Sequence, residues 1–259
     1  MKLKNQVALV TGAGTGMGRA IAELFASEGA SVGVNYAHSR DAAEEVASSI
    51  KSKGGSAIAI GADVAKEADV RAMIDRVQRE YGRLDILVNN AGWSTRVPHH
   101  QLEDLTDEIW DRTLNTNLRG TFYCVRAAVP LLKQQPGASV VNIASVAGLG
   151  GMGSSIVYAA SKGGMLTMTK SLARALAPHI RVNAIAPGFV RTRFAGWPDS
   201  AFDAGEKVTP LQHLPTVEDV AKVSLFLAAD ATAITGETIT LDGGLHSLGT
   251  IQSPPLTPK

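Results

Sequence analysis

The most constraining feature is an apolar run that passes straight into a glycine-rich turn. Val7-Ala8-Leu9-Val10-Thr11 has no polar alternation, as expected of a parallel strand covered on both faces. Thr11-Gly12-Ala13-Gly14-Thr15-Gly16-Met17-Gly18 follows, then a helical pattern from Arg19 to about Glu28. Such a turn lets backbone approach an anion at the helix N-terminus, where unpaired N–H groups and the helix dipole favour negative charge. The spacing is T-G-x-x-x-G-x-G, not G-x-G-x-x-G. Gly12, Thr15, Gly16, Met17 and Gly18 are the expected contacts to a pyrophosphate. The bland alternative is a tight turn with no ligand.

Strand and helix patterns then alternate. Strands are expected at Ser31–Asn35, Ala57–Ile60, Leu84–Val88, Ser139–Ala144, Ile180–Ile185 and Thr238–Leu241. Helices are expected at Asp41–Lys53, Lys66–Tyr81, Thr106–Lys133, Ile156–Ala177 and Val217–Ala229. The helix over Thr106–Lys133 is interrupted by polar Asn115-Thr116-Asn117 and by Pro130. Arg193–Pro215 has no clear period and reads as a lid or irregular loop. The alternation predicts a doubly wound α/β fold with a parallel sheet and right-handed crossovers. It makes one domain over residues 1–246, with a proline-containing tail over 247–259.

Composition narrows the partners. A net charge of +1 gives no reason to expect nucleic acid or an anionic membrane. The apolar runs fall short of the ~18 residues that span a bilayer. The start lacks a secretory cleavage pattern, and the lone Cys124 reads as a core residue with no disulfide. These features favour a cytoplasmic protein. His99 and His100 are adjacent but lack a Cys or carboxylate pattern, so no metal is expected.

The chemistry concentrates in Tyr158-Ala159-Ala160-Ser161-Lys162, with Ser145 thirteen residues before Tyr158. On a helix, Tyr158 and Lys162 share a face one turn apart. A free phenol titrates near ~10, and a neighbouring ammonium is expected to lower that value toward a useful one. Ser145 follows a strand, so its hydroxyl stands at a carboxyl end, where open α/β sheets hold ligands. The set suits a carbonyl: Tyr158 exchanges a proton, Ser145 orients the oxygen and Lys162 tunes the phenol. Asn117 is expected to bind a water linking Lys162 to solvent, or to be an ordinary helix-face amide.

Further residues fit a dinucleotide. The second strand ends in Asn35-Tyr36-Ala37-His38-Ser39-Arg40, without the acid that would hold a ribose 2′-hydroxyl. Ser39 and Arg40 suit a 2′-phosphate, so NADP(H) is favoured over NAD(H). Alternatively Ser39 caps the next helix and Arg40 is a solvated charge. Asp63 and Val64 suit an adenine, although Asp63 equally caps a turn. Asn90, Ala91 and Gly92 let the cofactor approach. Pro187, Gly188, Val190 and Thr192 stand where a nicotinamide would lie. Residues 93–105, 148–154 and 189–215 are the expected substrate loops, the glycine-rich one being mobile. Trp93, Met152, Phe189, Phe194, Trp197 and Phe202 are candidates for an apolar pocket.

In this order, the motifs Thr11-Gly12-x-x-x-Gly16-x-Gly18, Asp63-Val64, Asn89-Asn90-Ala91-Gly92, Asn117, Ser145, Tyr158-x-x-x-Lys162, Pro187-Gly188 and Thr192 closely resemble the short-chain dehydrogenase/reductase family. The resemblance runs to about residue 246. It implies a Rossmann-like sheet of seven parallel strands, an Asn117–Ser145–Tyr158–Lys162 tetrad, a small carbonyl or alcohol substrate and a homotetramer. It also implies that Lys162 binds the nicotinamide ribose. The closest subgroup resembles the 3-oxoacyl-(acyl carrier protein) reductases. Those enzymes commonly carry an arginine where this chain has Thr15, and paired arginines for the carrier. Arg174 matches one of the pair; Pro130 stands at the other. A general ketone or secondary-alcohol oxidoreductase therefore ranks first and a carrier-protein reductase second. A non-catalytic dinucleotide sensor is the remote alternative.

Overall fold

The computed structural model describes residues 1–250. Seven strands form one parallel sheet: β1 (Val7–Val10), β2 (Ser31–Tyr36), β3 (Ser56–Gly61), β4 (Ile86–Asn89), β5 (Ser139–Ile143), β6 (Arg181–Pro187) and β7 (Thr238–Leu241). Their order across the sheet is β3-β2-β1-β4-β5-β6-β7, so the direction of winding reverses between β1 and β4. The register aligns Leu9 with Gly33 on one side and with Leu87 on the other.

The unalternating strand runs are explained by burial on both faces. Ala8, Val10, Ile86 and Val88 face one core with Ile21, Phe25, Val46 and Val220. Val7, Leu9 and Leu87 face the other with Val70, Met73, Val77 and Leu131. The first layer holds α1 (Gly16–Ser27), α2 (Arg40–Ser52) and α9 (Val217–Leu225); the second holds α3 (Glu67–Tyr81), α5 (Gly120–Leu132) and α7 (Ile156–Leu176). Full burial of a side chain such as Phe25 contributes roughly 1.5–3 kcal/mol, so each layer adds to the stability of the sheet it covers. Between these elements lie α4 (Asp107–Leu114), α6 (Ala147–Gly150), α8 (Asp199–Val208) and α10 (Leu245–Leu248). Among the described residues no helix is long and apolar enough to cross a membrane.

Five expectations need correction. Helix α1 starts at Gly16, inside the turn. The polar stretch Asn115-Thr116-Asn117 does not break the helix; Asn115–Arg119 forms a π turn that joins α4 to α5. Pro130 lies inside α5 near its end, where the remaining helix is short. Residues 193–215 are not structureless: they contain α8, whose Phe202 is buried and meets Phe189 edge-on at 6.0 Å. At ten residues, with Gly205 in its second half and Pro198 just before it, α8 is too short and too interrupted to stand out from the irregular stretch around it. The glycine-rich stretch after Ser145 likewise folds partly as α6. There an added Cβ on Gly148 would lie 2.5 Å from backbone of Lys162 and Gly163, so only glycine allows this approach. In the tail, Leu245–Leu248 is helical; the expectation for its last nine residues, 251–259, lies outside the described residues.

Candidate active site

The turn after β1 is held from three sides. Gly12 and Gly16 have positive φ, +61° and +55°, which glycine adopts without strain. A Cβ on Gly18 would fall 2.5 Å from Asn90 Nδ2 and closer still to the Gly12 carbonyl. The Asn90 amide donates to the Thr11 and Gly12 carbonyls at 2.9 and 3.0 Å. The Thr11 hydroxyl accepts from the Asn90 and Ala91 N–H groups at 3.0 and 2.9 Å. Thr11 is thus the hinge between β1 and β4, a role its place at the end of an apolar run signals only weakly. Thr15 is the exposed N-cap of α1 without a side-chain bond, and Met17 packs on the core. The result is a glycine-lined cradle at a helix N-terminus, which fits a dinucleotide pyrophosphate.

Asn35 has a different role from the one expected. It is buried, its Oδ1 accepts from Gly12 N–H at 3.1 Å, and its Nδ2 donates to the Ile60 and Ala62 carbonyls at 3.2 and 3.0 Å. Its side chain holds the turn from behind and is not free for a ligand. Beyond it Tyr36 is half-buried, while Ala37, Ser39 and Arg40 are exposed. Ser39 stands at the N-cap of α2 but makes no side-chain capping bond, and Arg40 pairs with Glu44 at 2.8 Å. Asp63 accepts from Ala65 N–H at 3.0 Å with one carboxylate oxygen. Val64 is buried, pressed against Gly120. Gly92 faces Asn117, and Gly188 abuts Asp242, where a Cβ would lie 2.8 Å away. Val190 is buried, and Thr192 lies against Gly16 and accepts from Phe194 N–H at 3.3 Å.

The catalytic candidates converge beyond β5. Ser155 caps α7, accepting from Tyr158 N–H at 3.3 Å, which fixes where the helix begins and so where Tyr158 points. Ser145 Oγ accepts from Ala147 N–H at 3.1 Å and donates to the Pro187 carbonyl at 3.5 Å. Lys162 is buried; its Nζ donates to the Ile143 carbonyl at 2.7 Å and lies 5.8 Å from the centre of the Tyr158 ring. Phe194 covers that ring at 5.7 Å.

The electrostatics differ from the expected tuning. Burial pushes the Tyr158 hydroxyl up to about 12, with a hydrogen bond from Ser145 opposing it. Burial also pushes the Lys162 ammonium down to about 7. Desolvation outweighs attraction because Lys162 spends its short bond on a neutral carbonyl, while nearly 6 Å separates it from the phenol ring. The protein alone therefore favours a neutral phenol, the form that donates a proton.

Asn117 also departs from expectation. Its Oδ1 accepts from Trp93 N–H at 2.7 Å, and its Nδ2 donates to the Trp93 carbonyl and to Ser161 Oγ, both at 3.0 Å. The side-chain amide is thus engaged with protein on both its oxygen and its nitrogen. Around the mouth, Trp197 meets Phe189 edge-on at 5.4 Å and lies under Arg96 at 4.8 Å, while Arg112 stacks on Trp93 at 4.4 Å. Met152 is exposed.

Known proteins share this frame. A family model described as enoyl-(acyl carrier protein) reductase matches residues 12–246. The 3-oxoacyl-[acyl-carrier-protein] reductase FabG of Staphylococcus aureus is 42% identical over 242 residues, covering 92% of this chain and 97% of that one. A short-chain dehydrogenase/reductase from Serratia marcescens superposes with a TM-score of 0.89 at 34% identity, covering 95% of this chain and all of that one. A short-chain dehydrogenase from Burkholderia cenocepacia, crystallised in complex with NADP, gives 0.87 at 36% identity, covering 94% and 98%. With its sheet order, its glycine turn and these relatives taken together, the chain belongs to the short-chain dehydrogenase/reductase family of nicotinamide-dependent oxidoreductases.

Proposed function

We propose that this protein is an NADP(H)-dependent oxidoreductase that interconverts a ketone and a secondary alcohol, with Tyr158 as the general acid/base. The observation that carries the reading is the meeting of Ser145, Tyr158 and Lys162 at one sheet edge with the glycine cradle. When bound, the dinucleotide supplies or accepts the hydride. The chain does the rest. Ser145 and Tyr158 hold the carbonyl oxygen, and Tyr158 gives it a proton as the alcohol forms. Lys162 would hold the ribose of the bound dinucleotide, and when protonated its charge would favour the phenolate left behind. The Phe194 ring packs beside the phenol.

NADP(H) is supported by the acid-free end of β2. The exposed Arg40–Glu44 pair contributes little and leaves the guanidinium free to turn to a 2′-phosphate. The related Burkholderia protein was crystallised with NADP. A homotetramer is supported by Trp110 on α4 and Phe122 on α5, each 40% exposed. A cytoplasmic location is the reading that the composition favours. A second reading, reduction of a carrier-bound 3-oxoacyl group, is favoured by the name of the Staphylococcus relative and by Arg174 on α7.

The test is an absorbance assay with NADPH or NADH, a panel of simple ketones and a 3-oxoacyl-carrier substrate. Ketone-dependent NADPH consumption is expected. Activity on the carrier substrate equal to or above that on ketones would promote the second reading. An NADH preference of about tenfold, roughly 1.4 kcal/mol, would overturn the cofactor assignment.

A further inference from the structure

Beneath the site runs a chain of buried hydrogen bonds that the proton chemistry does not use. Ser161 and Asn117 are fully buried. Ser161 Oγ donates to the Tyr158 main-chain carbonyl at 2.7 Å and accepts from Asn117 Nδ2 at 3.0 Å. Asn117 in turn grips Trp93 by both its N–H and its carbonyl. Trp93 opens the substrate loop, which is tied further by Val97 N–H donating to the Ser154 carbonyl at 2.8 Å. One continuous path thus joins the substrate loop, the π turn and the helical turn that carries the reacting phenol.

Elementary chemistry says why the path matters. A serine hydroxyl bonded to the carbonyl three residues back competes with the helix and adjusts its local course. Here that carbonyl belongs to Tyr158. Removing the hydroxyl strands one Asn117 amide hydrogen in a buried place and frees Tyr158 from the loop. A shift on the order of 1 Å at a reacting group costs about 10²-fold in rate.

We propose that Ser161 is a positioning residue of the reaction, locking the Tyr158 turn of α7 to the Trp93 loop through Asn117. The proposal rests on the function given above, but one arm of its test does not. Ser161 touches no reacting atom, so its loss acts on kcat and leaves dinucleotide affinity alone.

The experiment uses the full chain with Ser161→Ala, Asn117→Ala and the double variant. Three quantities are measured: kcat, the dissociation constant for NADPH, and hydrogen exchange of the amides of residues 93–97. Ser161→Ala is expected to lower kcat about tenfold, keep NADPH affinity within about twofold, and speed exchange in that loop. The double variant should be no more than about twofold worse than Asn117→Ala, because both changes break one path. If Asn117→Ala does not fold, Asn117→Ser takes its place. A kcat within about twofold of wild type for Ser161→Ala, a double loss equal to the product of the singles, or unchanged loop exchange would overturn the proposal. Wild-type inactivity on every substrate would sink the function instead, and loop exchange would still decide the brace.

Discussion

Lys162 is a cation held where water is scarce, and its cost has a sign that can be measured. Its folded value lies near 7 and its ordinary value at 10.5. Below pH 7 the ammonium is charged in both states and the full cost of burying it is present. Between 7 and 10.5 the folded protein sheds the proton while the unfolded chain keeps it, so this group makes stability rise with pH. Above 10 the raised Tyr158 value works the other way: the unfolded phenol ionises first and stability falls. Urea unfolding of the dinucleotide-free protein from pH 7 to 10 should therefore show a rising contribution in wild type that Lys162→Met lacks; parallel curves would refute this. Gly18 makes a second claim at this scale. Its position admits no side chain, because the atoms a Cβ would strike include the Gly12 carbonyl and the Asn90 amide that hold the turn. Overpacking of this kind costs about 1–3 kcal/mol. Gly18→Ala should lower Tm and weaken NADPH binding at least about tenfold, an outcome that titration calorimetry reads directly.

Helix α9 passes into a second π turn, Phe226–Asp230, and a half-buried guanidinium holds its end. Arg181, at the start of β6, donates to the Leu227, Ala228 and Ala231 carbonyls at 2.6, 2.8 and 3.0 Å, and burial lowers its pKa. Arg181→Ala leaves three carbonyls without that donor, which is expected to cost about 3 kcal/mol in denaturant unfolding; Arg181→Lys, with no fork, should recover only part. An unchanged midpoint would refute the staple. Elements such as this separate what sequence reveals from what it hides. Strands β1, β2 and β4 are legible because their central residues, Val7–Val10, Val32–Val34 and Ile86–Val88, are buried on both faces and are all apolar or small. The π turn at Asn115–Arg119 is not: polar residues inside a helical pattern read as a break, and only the partners of Asn117, distant in sequence, show why amides belong there. Helix α8 is hidden because it is only ten residues long and carries a glycine within it, so it merges with the irregular stretch on either side. Among the site residues, the tyrosine, lysine and serine are legible from spacing. The committed amides of Asn35 and Asn117 are not, because hydrogen-bond partners are set by tertiary approach.

Across the whole molecule, the chemistry lies along one edge of the sheet. The glycine turn follows β1, Asn90 follows β4, Ser145 follows β5 and Gly188 follows β6, so the carboxyl ends of four neighbouring strands in the order β1-β4-β5-β6 frame one crevice. That is where a doubly wound sheet, by its reversal of winding, leaves room for a ligand. Helix α7 then brings Tyr158 and Lys162 to the same edge, with Gly148 allowing α6 to close against it. The central claim is that this edge binds the dinucleotide and that the phenol of Tyr158 moves the proton. The measurement that tests it most directly is Tyr158→Phe, with NADPH binding and ketone reduction followed on the same sample. The account predicts binding within about twofold of wild type and turnover lower by ~10²–10⁴-fold. Turnover at the wild-type rate would contradict it.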